Sequence, residues 1–118
     1  MNKLIAFEGG EGAGKTSIIA SLKEKLIADG FDVIVTREPG GCLVSEKIRD
    51  IIVNNEVLPI TELLLFVASR VEHYQTKIIP LLHKENTIVI TDRFFLSSMV
   101  YQGAVKQLGE DFVYFLHE

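Results

Sequence analysis

The chain has 118 residues, 47% of them hydrophobic, a single cysteine and a formal charge of -4. Its length suits one domain with a modest core, and its acidic balance excludes a general nucleic-acid surface, which needs a basic excess. One cysteine, Cys42, excludes an internal disulfide or a cysteine-rich metal site, and the absence of a long apolar run or a basic, then apolar, leader predicts a cytoplasmic protein with no membrane partner.

The first predicted strand is Leu4-Ile5-Ala6-Phe7, and Gly9-Gly10-Glu11-Gly12-Ala13-Gly14-Lys15-Thr16 follows it in the pattern G-x-x-x-x-G-K-[ST]. Glycines allow successive backbone N–H groups to converge on phosphate oxygens, which side chains there would obstruct. Lys15 brings a cation to the β and γ phosphates, and Thr16 offers a hydroxyl to Mg²⁺. The helix that begins here, with Ser17 in its first turn, points its positive end at the anion. Residues 9–17 are therefore the candidate nucleotide-binding stretch. The alternative is a plain glycine-rich turn between strand and helix.

Ile18, Ile19, Leu22 and Leu26 recur at helical spacing after Lys15, and Gly30 is placed to end that helix before a strand at Val33-Ile34-Val35-Thr36. A loop carries Arg37-Glu38-Pro39-Gly40-Gly41. A short helix is predicted from about Val44 to Val53, and a longer one from Pro59-Ile60 toward Ile79, where Pro80 should disturb it. Thr87-Ile88-Val89-Ile90-Thr91 reads as a third strand, apolar on both faces and so covered by helices on each side. Strands alternating with helices predict parallel strands joined by crossover helices.

Asp92-Arg93 closes the third strand, at the edge where open α/β sheets collect their ligands. Asp92 can hold Mg²⁺ opposite the Thr16 hydroxyl, or serve as a helix cap or a partner of Arg93. The chain has only four arginines, Arg37, Arg49, Arg70 and Arg93, against eight lysines that fall mostly on solvated helix faces. A guanidinium offers a planar fork suited to phosphate or a base carbonyl, so sparing arginine beside strand ends points to ligand contacts. The competing roles are an Arg49–Glu46 helix pair and simple packing by Arg70.

Phe7 through Thr16, Thr36-Arg37-Glu38-Pro39-Gly40-Gly41, Leu65-Phe66-Val67-Ala68-Ser69-Arg70, and Asp92-Arg93 through Ser97-Ser98 to Tyr101-Gln102-Gly103 stand in the order seen in thymidylate kinases, and the chain resembles that family over nearly its whole length. The resemblance implies a P-loop NTPase-type parallel sheet flanked by helices, one α/β domain of the nucleoside monophosphate kinase kind over residues 1–118, incomplete at its C-terminus. It implies transfer of the γ-phosphoryl of ATP to dTMP to give dTDP, with Mg²⁺ and a homodimer. Lys15, Arg37, Asp92 and Arg93 would be catalytic, and Arg37, Arg49 and Arg93 would gather around the dTMP phosphate and the transferred group.

By the same resemblance Glu11 looks toward the deoxyribose 3′-hydroxyl. Phe66 and Arg70, four apart and on one helix face, would stack on thymine and meet its carbonyl. Ser98 and Gln102, also four apart, would read the pyrimidine edge, with Tyr101 against the sugar. Phe66 as core and Ser98 as a cap remain open. Cys42 replaces a common threonine, and Phe94-Phe95 replace a tyrosine or histidine and a polar residue. Thymidylate kinases continue into a lid, further strands and an adenine loop beyond the position of Glu118, so a fragment or shortened product is expected, with weak or no turnover in the absence of a lid arginine. Other readings are a kinase of another nucleoside monophosphate, a nucleotide-binding fragment without turnover, and a nucleotide switch. The last lacks the N-K-x-D and D-x-x-G elements.

Overall fold

A computed structural model of the chain describes residues 3–8 and 14–93. Residues 9–13, including Glu11, and Ser98, Tyr101 and Gln102 lie outside the described residues. Strands β1 (Leu4–Glu8), β2 (Asp32–Glu38) and β3 (Thr87–Arg93) form one parallel sheet in the order β1-β3-β2. The last strand thus lies between the first two, and Thr87 through Thr91 are all buried, as its unbroken β-branched run requires. The register sets Glu8, Arg93 and Glu38 side by side, and Phe7, Asp92 and Arg37 one step before them. All three strands therefore end level.

Helix α1 (Lys15–Ala28) lies on one face, where Ile19, Leu22 and Leu26 pack against Ile5, Phe7, Val33, Ile88 and Ile90. Ile18 is not part of this seam and is 54% exposed, because only one side of α1 meets the sheet. Gly30 ends α1 as expected. With φ +95 it donates to the Ile27 carbonyl while Phe31 donates to that of Leu26, the paired bonds of a left-handed helix cap.

Helices α2 (Leu43–Asn54) and α3 (Pro59–His73) pack on each other, and α3 runs into a π-helical turn (Tyr74–Ile78) and a short α4 (Ile79–Leu82). Pro80 does not end this helical path. The Ile79 N–H reaches back five residues to the Tyr74 carbonyl, and the widened turn admits a ring that an unbroken α-helix would exclude. Leu63 and Ile78 are fully buried, as is Val89, which alternation in β3 turns away from the α1 face. Each such aliphatic side chain contributes about 1.5–3 kcal/mol through burial.

Candidate functional site

Strand alternation sorts the level sheet edge into two charge clusters. In-register neighbours share a face, so Asp92 and Arg37 fall on the side of α1, and Glu8, Glu38 and Arg93 on the side of α3. On the α1 side, Lys15 is the first residue of its helix and sits behind Gly14, whose backbone is left-handed at φ 73. Its Nζ is 2.5 Å from Asp92 Oδ1 and donates to the Arg93 carbonyl at 3.2 Å. Thr16 and Ser17 are exposed on the same first turn.

On the α3 side the centre is Glu38, only 3% exposed. Arg93 Nε donates to its Oε1 at 2.9 Å, and Arg70 Nε and His73 Nδ1 approach its Oε2 at 3.5 and 3.6 Å. Burial works to raise the Glu38 carboxyl, but the pull of His73, Arg70 and Arg93 outweighs it and holds the group below its usual value. Arg93 also reaches Glu8 at 3.5 Å and donates to the Tyr74 hydroxyl. Burial opposes its charge, and Tyr74 and Glu38 more than restore it.

A third group shapes the loop between β2 and α2. Glu46 accepts from Arg37 Nε at 3.1 Å and from the Gly41 N–H at 2.7 Å, and the Arg37 contact is the main reason its carboxyl falls to about 2. Arg49 donates to the Pro39 carbonyl at 2.8 Å, and its charge also helps to lower the Glu46 carboxyl one helical turn before it. Gly40 donates to Ser69 Oγ, Lys77 Nζ donates to the Gly41 carbonyl at 2.7 Å, and Cys42 Sγ meets Ser45 Oγ at 3.1 Å. A cleft of about 560 Å³ opens here, with Thr36, Arg37, Gly41, Cys42, Lys77 and Asp92 in its wall.

The structure thus brings Lys15, Arg37, Arg70, Asp92 and Arg93 to one edge of the sheet, with Arg49 reaching the adjoining loop from α2, while Phe66 is half-buried one helical turn before Arg70. Sequence reasoning missed Glu38 as the hub, and with it His73, Tyr74 and Lys77. For the three helical residues the signal was present: Phe66, Arg70, His73, Tyr74 and Lys77 fall at i, i+4, i+7, i+8 and i+11, the spacing of one helical face. Among the described residues no group of three or more His, Cys, Asp or Glu side chains forms a metal cage. No helix among them is long and apolar enough to cross a membrane.

The sequence model of the family described as thymidylate kinase matches residues 7–118. Among curated proteins the chain is similar to thymidylate kinases from Chlamydia trachomatis serovar L2, at 50% identity over 92% of this chain and 54% of the relative, and from Oceanobacillus iheyensis, at 52% over 93% of this chain and 50% of the relative. The thymidylate kinase of Rickettsia canadensis is 51% identical over 98% of this chain and 57% of its own length. The chain therefore spans about half the length of the curated relatives it matches. Its fold is similar to a crystal structure of thymidylate kinase from Ehrlichia chaffeensis, with a TM-score of 0.76, 37% identity, and coverage of 96% of this chain and 65% of that one.

Proposed function

The chain belongs to the thymidylate kinase family, and on that premise we propose that it carries the phosphate-binding and acceptor residues for transfer of the γ-phosphoryl of ATP to dTMP. The observation that supports this reading is the division of the sheet edge into Lys15 with Asp92 on one face and Arg93 with Arg70 around Glu38 on the other. Two anions must meet in this reaction. One face offers a cation for the donor phosphates, and the other offers guanidiniums for the acceptor.

In the transfer, the bond from the γ phosphorus to the β–γ bridging oxygen breaks as a bond forms to a phosphate oxygen of dTMP, leaving ADP and dTDP. The protein's work is positioning and charge neutralisation, because the transferred group has little need of covalent chemistry. Lys15 draws the donor's terminal phosphates to the head of α1. Arg93, with Arg37 at the end of β2 and Arg49 on α2, offsets the repulsion between the two phosphates. Phe66 and Arg70 share a helix face toward the base.

Mg²⁺ fits the residues present: it takes one or two protein oxygens and fills the rest of its shell with water and phosphate, and Asp92 and exposed Thr16 supply such oxygens beside Lys15. Asp92 and Thr16 would hold it, and it would supply neutralisation of charge on the donor phosphates. We further place the protein in the cytoplasm as a homodimer. Leu64 and Val71, seven apart on α3 and 44% and 57% exposed, offer an apolar stripe for the second copy. Sedimentation that shows only monomer at assay concentrations would remove the dimer.

The test of the kinase reading is calorimetric titration of the folded chain with dTMP, dUMP, dCMP and AMP, beside an ADP-coupled assay with ATP and dTMP. Selective binding of dTMP is expected, with dTMP-dependent ADP formation slow or absent in this chain. A preference for AMP, or no binding of either ATP or dTMP with magnesium present, would overturn it.

A further inference from the structure

Beneath the arginines lies a line of buried polar groups that the transfer reaction does not itself use. His73 is fully buried, and Thr36 and Glu38 are 6% and 3% exposed. Thr36 Oγ1 is 2.7 Å from His73 Nε2. On the other side of the ring, Nδ1 faces Glu38 Oε2 at 3.6 Å, and neither of these two buried atoms has a hydrogen bond among the described residues. An unpaired buried donor or acceptor is costly, and closing this gap by less than about 1 Å satisfies both.

Pairing with Glu38 places a requirement on the ring. A carboxylate only accepts, so the imidazole serves Glu38 only when Nδ1 carries hydrogen; in the neutral ring Nε2 then accepts from the Thr36 hydroxyl, and in the doubly protonated ring it donates to that oxygen. The surroundings are shaped to admit the ring. A Cβ on Gly41 would lie 2.2 Å from His73 Nε2 and 2.5 Å from Thr36 Oγ1. Held from beneath, Glu38 turns Oε1 to Arg93 Nε at 2.9 Å and Oε2 toward Arg70 Nε at 3.5 Å.

We propose that His73 is a positioning residue: its Nδ1–H holds the Glu38 carboxylate in the orientation that directs the Arg70 and Arg93 guanidiniums toward the acceptor nucleotide. The ligand named here rests on the kinase reading, whereas the hydrogen-bonded hub does not. His73 touches no reacting atom and acts only through Glu38. Asparagine can place an amide N–H near the position of Nδ1, and leucine keeps bulk without a donor, so the two substitutions separate hydrogen bonding from packing.

Nitrogen-15 spectra of the imidazole in the unaltered chain at neutral pH test the first link, with a form bearing hydrogen on Nδ1 expected. A ring protonated only at Nε2 would overturn the proposal. Hydrogen exchange at Arg93 Nε–H tests the second, and His73→Leu should speed it by about tenfold or more while His73→Asn stays within about threefold of the parent. Affinity for dTMP should follow the same order, with affinity for a non-hydrolysable ATP analogue unchanged. Equal Arg93 exchange in parent and His73→Leu would sink the positioning role. If His73→Leu does not fold, the proton assignment in the parent and the His73→Asn comparison decide. A parent that shows Nδ1–H and a protected Arg93 but binds no dTMP would support the hub and overturn the kinase reading.

Discussion

Glu46 shows how a half-exposed carboxylate organises a binding loop from one turn into a helix. It reaches back to the Gly41 N–H and sideways to Arg37, and that Arg37 contact holds its carboxyl at about 2 against an ordinary 4.5. The folded chain then refuses a proton that the unfolded chain accepts, so this contribution to stability is complete above 4.5 and is lost as pH falls toward 2. Urea midpoints measured from about pH 5 to pH 3 should fall in the parent and fall less in Glu46→Gln, with the remaining slope coming from Glu38, whose carboxyl is shifted the same way. Gly41 is the other sensitive residue. With φ +95 and no room beside His73 and Thr36, Gly41→Ala should cost about 2–4 kcal/mol by urea denaturation. Lys15, Asp92 and the four arginines were legible as charge placed beside a phosphate motif and strand ends. Glu38 was not, because nothing local to Arg37-Glu38-Pro39 says which of two adjacent charges turns inward; strand register and the α3 face decide that.

The elements themselves were largely readable from their apolar patterns. The three strands and α1, α2 and α3 stand where periodicity predicts them, with β2 extending beyond Val33–Thr36 to Asp32–Glu38. Two features escaped. Ile18 fits the helical spacing but faces out, since a stripe counted along a helix is wider than the seam one sheet can cover. The π-helical turn was the second: Pro80 marked where the helix is disturbed, but not that the path continues past it through a widened turn. The cap of α1 is where local chemistry was sufficient. Gly30→Ala should cost about 1 kcal/mol, and faster hydrogen exchange at the Phe31 amide should report the frayed end.

For the whole molecule the decisive feature is that β3 lies between β1 and β2. Ile90 is fully buried at its centre, so Ile90→Ala should cost about 3–4 kcal/mol in urea denaturation, and the amides of β3 should exchange no faster than global unfolding allows. Strand order was not legible in the sequence. Alternating strands and helices imply parallel pairing, but which strand takes the middle depends on where each crossover helix comes to rest. The order carries a consequence for synthesis. Among the described strands β1 and β2 have no parallel neighbour in the sheet except β3, so in a nascent chain that native pairing waits until residues 87–93 clear the ribosome's tunnel. The same segment brings Asp92 and Arg93, so translation delivers the sheet's keystone and the two central charges of its working edge in a single stretch.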